Sequence, residues 1–173
     1  SWLAVNGTAA IVEFPGVLYR GGAEQKIRKY LVDNNYVDAV IQLPQDLFFG
    51  TTIATCIIVL KKSKSDNKVL FVDASARFTR SGNKNKLTEA DRGAILDALA
   101  AREDADHFAK LVDRDALAEN GYNLSVSSYV EQEDTREEVD IVALNAEIAR
   151  IVARQQELRT AIDAIVADLE GQS

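Results

Sequence analysis

Short apolar runs punctuated by glycine, proline or asparagine occupy the first part of the chain, and a heptad pattern occupies its end. Residues 9–14 (Ala-Ala-Ile-Val-Glu-Phe) run into Pro15-Gly16, which predicts a buried strand followed by a turn. After Gly21-Gly22, the residues Ala23, Ile27, Tyr30 and Leu31 recur at helical spacing, and Asn34-Asn35 ends that helix. Residues 37–43 (Val-Asp-Ala-Val-Ile-Gln-Leu) form a second strand stopped by Pro44. Residues 53–60 form a third, nearly unbroken in apolar character, as a strand covered on both faces requires. Residues 69–72 supply a fourth, and the polar turn Lys61–Asn67 before it predicts an antiparallel hairpin between strands three and four.

Beyond these strands the pattern turns polar and then helical. Residues 77–86 (Arg-Phe-Thr-Arg-Ser-Gly-Asn-Lys-Asn-Lys) read as a loop with four cations and no acid. Thr88 is the expected N-cap of a helix running to about Arg102, with Glu89 and Asp91 at the positive end of its dipole. Shorter helical patterns follow over 106–111 and 114–119, Asn120-Gly121 is a helix stop, and residues 122–130 read as extended. The acidic run 131–140 is a linker or an exposed first turn. Then Ile141, Leu144, Ile148, Ile151, Gln155, Leu158, Ile162, Ile165 and Leu169 follow alternating steps of three and four, the seam of a coiled coil. A helix over residues 139–170 would be about 48 Å long at about 1.5 Å per residue, with little of the chain left to cover it.

The fold class expected is α/β: the back part of a sheet, then a helical region, then a long C-terminal coiled-coil helix. The expected divisions are residues 1–75 for the partial α/β domain, 76–135 for the basic loop and helical region, and 136–173 for the coiled-coil helix. A chain of 173 residues with 47% apolar content is long enough to bury a core. Cys56 is the only cysteine, so no internal disulfide or cysteine-cluster metal site is available, and a reducing, cytoplasmic setting is the natural reading. No apolar run approaches the roughly 18 uninterrupted residues of a membrane helix, and no targeting segment opens the chain.

Net charge is −7, but residues 1–92 carry 13 Lys/Arg against 9 Asp/Glu, whereas residues 93–173 carry 7 against 18. Contact with nucleic acid therefore belongs to the first half, while the acidic second half suits a protein partner. The single histidine, His107, leaves little from which to build a catalytic dyad or a histidine-rich metal site, and it reads as an exposed helical residue. Asp73, at a strand end, is the one carboxylate placed like a catalytic acid, and a structural role is the better reading.

Three segments could carry chemistry. Phe48-Phe49 sit before Gly50-Thr51-Thr52 on a loop that runs into an apolar strand, where a ring at a sheet rim can stack on a base or simply cap the core. Arg20-Gly21-Gly22 precedes a helix, a place where backbone amides attract phosphate, although a plain turn reads equally from the residues. The loop with Arg77, Arg80, Lys84 and Lys86 is the densest cationic stretch, read either as a neutraliser of a nucleic-acid backbone or as a solvated surface. Asn83 and Asn85 could meet bases only if the fold placed them in a groove.

The segments Leu43–Lys62, Ala9–Glu24 and Ile27-Arg28-Lys29 together resemble the modification subunits of type I restriction-modification systems, the adenine-N6 DNA methyltransferases that use S-adenosylmethionine. The resemblance covers nearly the whole chain but only the later portion of the family. A glycine-rich cofactor loop after a first strand and the Asn-Pro-Pro-aromatic tetrapeptide are absent, Pro15 and Pro44 being the only prolines. The chain is thus expected to be a C-terminal part of a methyltransferase with a Rossmann-like sheet, inactive and without cofactor by itself. The resemblance implies Phe49, or failing it Phe48, as the platform for the flipped adenine, and makes Arg20 a contact to phosphate or base edge. It implies a specificity subunit on the C-terminal helix and DNA in the assembled complex. A homodimer through the seam, or a purely structural assembly module, remain the alternatives. Relatives tend to have a more apolar segment where Glu13-Phe14-Pro15-Gly16 stands.

Overall fold

A computed structural model describes residues 3–133 and 140–170, which fall into two units, one up to Glu133 and one after it. The first unit is built on a five-stranded mixed sheet. Its strands are β1 (Thr8–Glu13), β2 (Val37–Gln42), β3 (Cys56–Lys61), β4 (Lys68–Asp73) and β7 (Ala109–Asp113), ordered β1-β3-β2-β4-β7. β3 runs antiparallel to both β1 and β2, β4 lies parallel to β2, and β7 closes the far edge antiparallel to β4. A separate two-stranded hairpin pairs β5 (Thr79–Ser81) with β6 (Lys84–Lys86).

Helices cover both faces of the sheet. On one side α1 (Gly16–Tyr19), α2 (Ala23–Asp33), α4 (Arg114–Glu119) and a 3₁₀ turn at Val126–Ser128 enclose Leu18, Val40, Phe71, Leu117 and Leu124. On the other, α3 (Glu89–Ala101) packs Ile95 over Ile41, Leu70 and Val72. Thr88 caps α3 as expected: its hydroxyl accepts from the Asp91 amide, and the Asp91 carboxylate accepts from the Thr88 amide in return. The Thr88 hydroxyl, which lies 2.7 Å from Asp91 Oδ2 and donates to it, and then the Thr88 amide hold the Asp91 carboxyl below its ordinary range.

Several expectations are corrected. Strands β3 and β4 form no hairpin, because β2 lies between them and the chain crosses over its start. Lys64 anchors the crossing by donating to Asn35 Oδ1, to the Val37 carbonyl and to the Lys68 carbonyl at 2.7–3.0 Å. Burial there pushes its ammonium down to about 8. The helix expected over 106–111 is the turn before β7 and the strand itself, ordered by Asp104, which accepts from the Leu111 amide and from Lys110. The polar loop 77–86 contains the β5–β6 hairpin, whose Gly82 takes φ +61 at the turn. Residues 122–130 hold a 3₁₀ turn rather than a continuous extended run.

The strand expected to be buried at 9–14 is an edge strand with Ile11 and Val12 exposed, since it pairs only with β3 among the described residues. Within α2 the apolar stripe is covered only in part: Leu31 packs against the core but Ile27 and Tyr30 are exposed, while Arg28 and Val32 are buried. Arg28 is 5% exposed and saturates three carbonyls, those of Val17, Arg20 and Tyr122, each at 2.8 Å. Burial lowers its pKa from the usual value.

The second unit is α5 (Ile141–Glu170), a single helix of 30 residues whose start is capped by Asp140 Oδ1, an acceptor for the Val142 and Ala143 amides. The acidic run before it lies partly outside the described residues, as does the expected helix start at residue 139. No helix among the described residues is long and apolar enough to cross a membrane.

Candidate nucleic-acid interface

The strand register gathers the three candidate segments at one edge of the sheet. Glu13 pairs with Cys56, Cys56 with Gln42, Gln42 with Asp73, and β7 begins at Ala109 beside Val72. From this row of strand ends leave the Arg20–Gly22 segment after β1, the aromatic loop between β2 and β3, and the basic hairpin after β4. Ligands of open α/β sheets bind outside such strand ends.

The aromatic loop is closed at its base by the Leu43 amide donating to the Thr55 carbonyl at 2.9 Å and, further out, by the Asp46 amide donating to Thr52 at 3.3 Å. At its tip Phe49 is 95% exposed and Phe48 40% exposed, so Phe49 does not cap the core. Gly50, immediately after it, takes φ +80, which a residue with a Cβ adopts only under strain. Removing a ring of this size from water is favourable, so its presentation to solvent leaves one flat apolar face free for a partner.

The hairpin and the aromatic loop are stitched together, which the sequence did not suggest. Asn85 is 5% exposed; its amide donates to the Asp46 carbonyl at 3.0 Å and its Nδ2 donates to the Gln45 carbonyl at 2.9 Å. Arg80 donates to Asn85 Oδ1 at 3.1 Å and to Asp46 Oδ2 at 3.3 Å, and Lys84 Nζ donates to the Thr51 carbonyl at 3.0 Å with Asp46 Oδ1 at 3.9 Å. Asn85 is therefore no groove contact: it is a buried cross-link. The signal that could have revealed it is Gly82-Asn83 between Thr79–Ser81 and Lys84–Lys86, a two-residue loop of the kind that joins short strands.

The cations divide into held and open. Arg80 and Lys84 are partly spent on Asp46, and Arg77 lies over the Phe108 ring at 4.1 Å from its centroid. Lys86 and Arg20 are exposed. The Arg20 guanidinium folds over Gly16, where an added Cβ would stand 2.9 Å from its carbon. Gly21 and Gly22 open onto empty space, so nothing packs against them that glycine alone would admit.

The remaining groups are structural. Asp73 accepts from the Ser75 amide at 2.9 Å and from Gln132 Nε2 at 3.0 Å, which occupies both carboxylate oxygens. His107 is exposed as expected, but in a turn at φ +55, with Nδ1 3.0 Å from the Glu131 carbonyl oxygen. Cys56 is buried and its thiol is pushed up to about 11 by burial and by Glu13, the opposite of an activated nucleophile. Among the described residues no cluster of three or more His, Cys, Asp or Glu is arranged for a metal. S-adenosylmethionine would need a backbone cradle and a free carboxylate for its ribose; the Gly21-Gly22 pair encloses nothing and Asp73 is committed, so these residues do not form that cradle.

On α5 the apolar seam residues Ile141, Leu144, Ile148, Ile151, Leu158, Ile162, Ile165 and Leu169 are 47–68% exposed, and Val152 and Val166 widen the stripe. Gln155 is the polar position in its middle.

The family profile described as N-6 DNA methylase matches residues 1–138. The chain belongs to this family. A type I restriction enzyme MpnII methylase subunit from Mycoplasma pneumoniae is 48% identical over 169 residues, covering 97% of this chain and 31% of that protein. The chain thus spans less than a third of that relative's length. Among solved structures, the type I restriction-modification methyltransferase subunit from Streptococcus thermophilus superposes with a TM-score of 0.71 at 45% identity, covering 72% of this chain and 27% of that one. A structure described under the assembly and conformational transition of the type I system shares the fold at a TM-score of 0.58 and 15% identity, over 97% of this chain. Membership of the family, with methylase subunits of type I restriction enzymes as relatives, accords with the resemblance read from Leu43–Lys62 and Ala9–Glu24.

Proposed function

We propose that this chain is the C-terminal portion of the modification subunit of a type I restriction-modification system. The intact parent transfers the methyl group of S-adenosylmethionine to N6 of an adenine in duplex DNA. In that reaction the base leaves the stack, and the enzyme must hold it by a flat surface and by polar edges. The observation that carries the reading is Phe49, 95% exposed at the rim of the sheet on a loop tied down on both flanks. Its ring clamps the extruded adenine. Lys86, Arg77 and Arg20, at the same edge, neutralise the flanking phosphates, a sequence-independent term. Orientation of the amine is the task of residues that this chain lacks, so the chain alone transfers no methyl group and holds no cofactor.

The exposed stripe of α5 supports a second role, docking of a specificity subunit. A parallel pair of copies of α5 would set Arg154, at the position before the seam residue Gln155, against Arg159 of the other helix, a repulsive arrangement. A partner helix with carboxylates at those flanks relieves it, so a different chain fits the seam better than a homodimer.

Phe49→Ala in the intact subunit, assembled with its specificity partner, tests the main reading. Stacking worth about 1–3 kcal/mol per base predicts a loss of methyl transfer of roughly 5- to 150-fold. The melting temperature should stay unchanged, because the ring buries almost nothing. Full activity in that variant would leave the α/β unit as a scaffold for a structural assembly module.

A further inference from the structure

Phe49 is too exposed to be held by its own packing, yet a stacking platform must be held somewhere. The fixed points lie outside the loop. Before the aromatic pair, the Gln45 carbonyl accepts from Asn85 Nδ2 and the Asp46 carbonyl accepts from the Asn85 amide; after it, the Thr51 carbonyl accepts from Lys84 Nζ. All three donors belong to β6, a strand of three residues in a hairpin that carries almost no apolar surface. An isolated two-stranded hairpin is marginal in water, so this one draws its order from the loop it grips, and the loop from it.

We infer that the β5–β6 hairpin is the positioning element of the aromatic loop and that Asn85 is its key; this rests on the reading of Phe49 as base platform. The carboxamide of Asn85 meets both demands at once. The Gln45 carbonyl can only accept and the Arg80 guanidinium can only donate, so the side chain must donate at one end and accept at the other. A carboxylate there would face the Gln45 carbonyl oxygen, and an aliphatic residue would take this donor from the Gln45 carbonyl and leave the Arg80 guanidinium with Asp46 alone. Asn85 touches neither base nor phosphate and acts through the backbone on which Phe49 stands. A displacement of about 1 Å in a catalytic arrangement costs up to roughly 100-fold in rate.

The test uses the intact modification subunit with its specificity partner, on DNA carrying 2-aminopurine at the target adenine, together with hydrogen exchange on this chain. Asn85→Ala should lower kcat about 10- to 100-fold while KM for DNA moves no more than about twofold. Its 2-aminopurine emission should match that of Phe49→Ala, and the double variant should be no worse than Phe49→Ala alone. In this chain, Asn85→Ala should speed exchange of amides 46–52 and leave those of β2 and β4 unchanged. Lys84→Met, a milder change at the other flank, should show the same pattern with smaller amplitude. Additive losses in the double variant would mean that the hairpin acts on its own account and would overturn the inference. Normal kcat and emission in Asn85→Ala beside an impaired Phe49→Ala would overturn it too. A silent Phe49→Ala sinks the platform reading instead; the exchange of amides 46–52 then decides the inference alone, unchanged rates overturning it.

Discussion

The sheet of the first unit and the helix α5 spend similar side chains in opposite ways. Leu18, Val40, Leu70 and Phe71 are fully enclosed between helices on the two faces, while eight Ile and Leu positions of α5 stay about half exposed or more. Apolar surface is removed from water where the local chain can cover it, and the exposed stripe of α5 is the surface proposed above for a partner. β1 stands between the two cases: it pairs with β3 on one side, but Ile11 and Val12 remain exposed. The contrast separates what holds the fold from what the fold offers to partners, and substitutions can probe either side of it.

The largest difference should appear between Phe71→Ala and Leu158→Ala. Phe71 is wholly buried and lies against the Tyr129 ring at 4.3 Å between centroids, so its truncation should cost about 3–5 kcal/mol. Leu158→Ala should leave the thermal transition of the α/β unit in place and, on the docking role proposed for α5, weaken binding of a specificity subunit. Denaturant melts and titration calorimetry read the two effects separately. A marked loss of α/β stability in Leu158→Ala would erase the distinction between covered core and offered surface.

A smaller effect concerns the polar centre of the enclosed region. Arg28→Met keeps much of the aliphatic stem but strips the Val17, Arg20 and Tyr122 carbonyls of their shared donor. Part-buried carbonyls left without partners should cost roughly 1–3 kcal/mol, read as a lower denaturant midpoint with an unchanged slope. The same change should loosen the Arg20–Gly22 segment, whose backbone Arg28 holds through the Arg20 carbonyl, and faster exchange of its amides would register it.

These contrasts also indicate which features the sequence could disclose. Ile57, Ile58 and Val59 in an apolar run and the Thr88–Asp91 cap are local patterns, and a strand and a helix lie there, although the strand starts at Cys56 and not at the exposed Ile53; the apolar positions from Ile141 to Leu169 lie on one helix. The five residues Ala109–Asp113 fit a strand or a helical turn equally well, and only pairing with β4 decides between them. Strand order is non-local in the same sense: a short polar stretch between two strands suggests a hairpin, until Lys64 is found anchoring the crossing above β2. Phe49 could be singled out as a candidate because an aromatic before a Gly-Thr-Thr loop stands out. Asn85 was not, because its importance lies in carbonyls forty residues away in the chain.

The smallest expected effect is a pH dependence that sets the half-buried Lys64 of the first unit against the buried Cys56. Lys64 titrates near 8 in the fold against 10.5 in an open chain, because burial penalises its charge. Between those values the unfolded chain binds the extra proton, so stability should rise with pH. Cys56 has the opposite sign: its thiol titrates near 11 in the fold against 9.0 when free, so above pH 9 the unfolded chain loses a proton that the fold keeps, and stability should fall. Tyr129, raised by burial from 10.0, adds to that fall at higher pH. The denaturant midpoint of the α/β unit should therefore climb between about pH 8 and 9 and then level off as the two groups oppose each other. Lys64→Met should abolish the climb, whereas Cys56→Ala should let it continue toward pH 10. A midpoint that stays flat between pH 8 and 9 in the unsubstituted chain would mean that the three acceptors at the crossing offset the burial of the Lys64 ammonium.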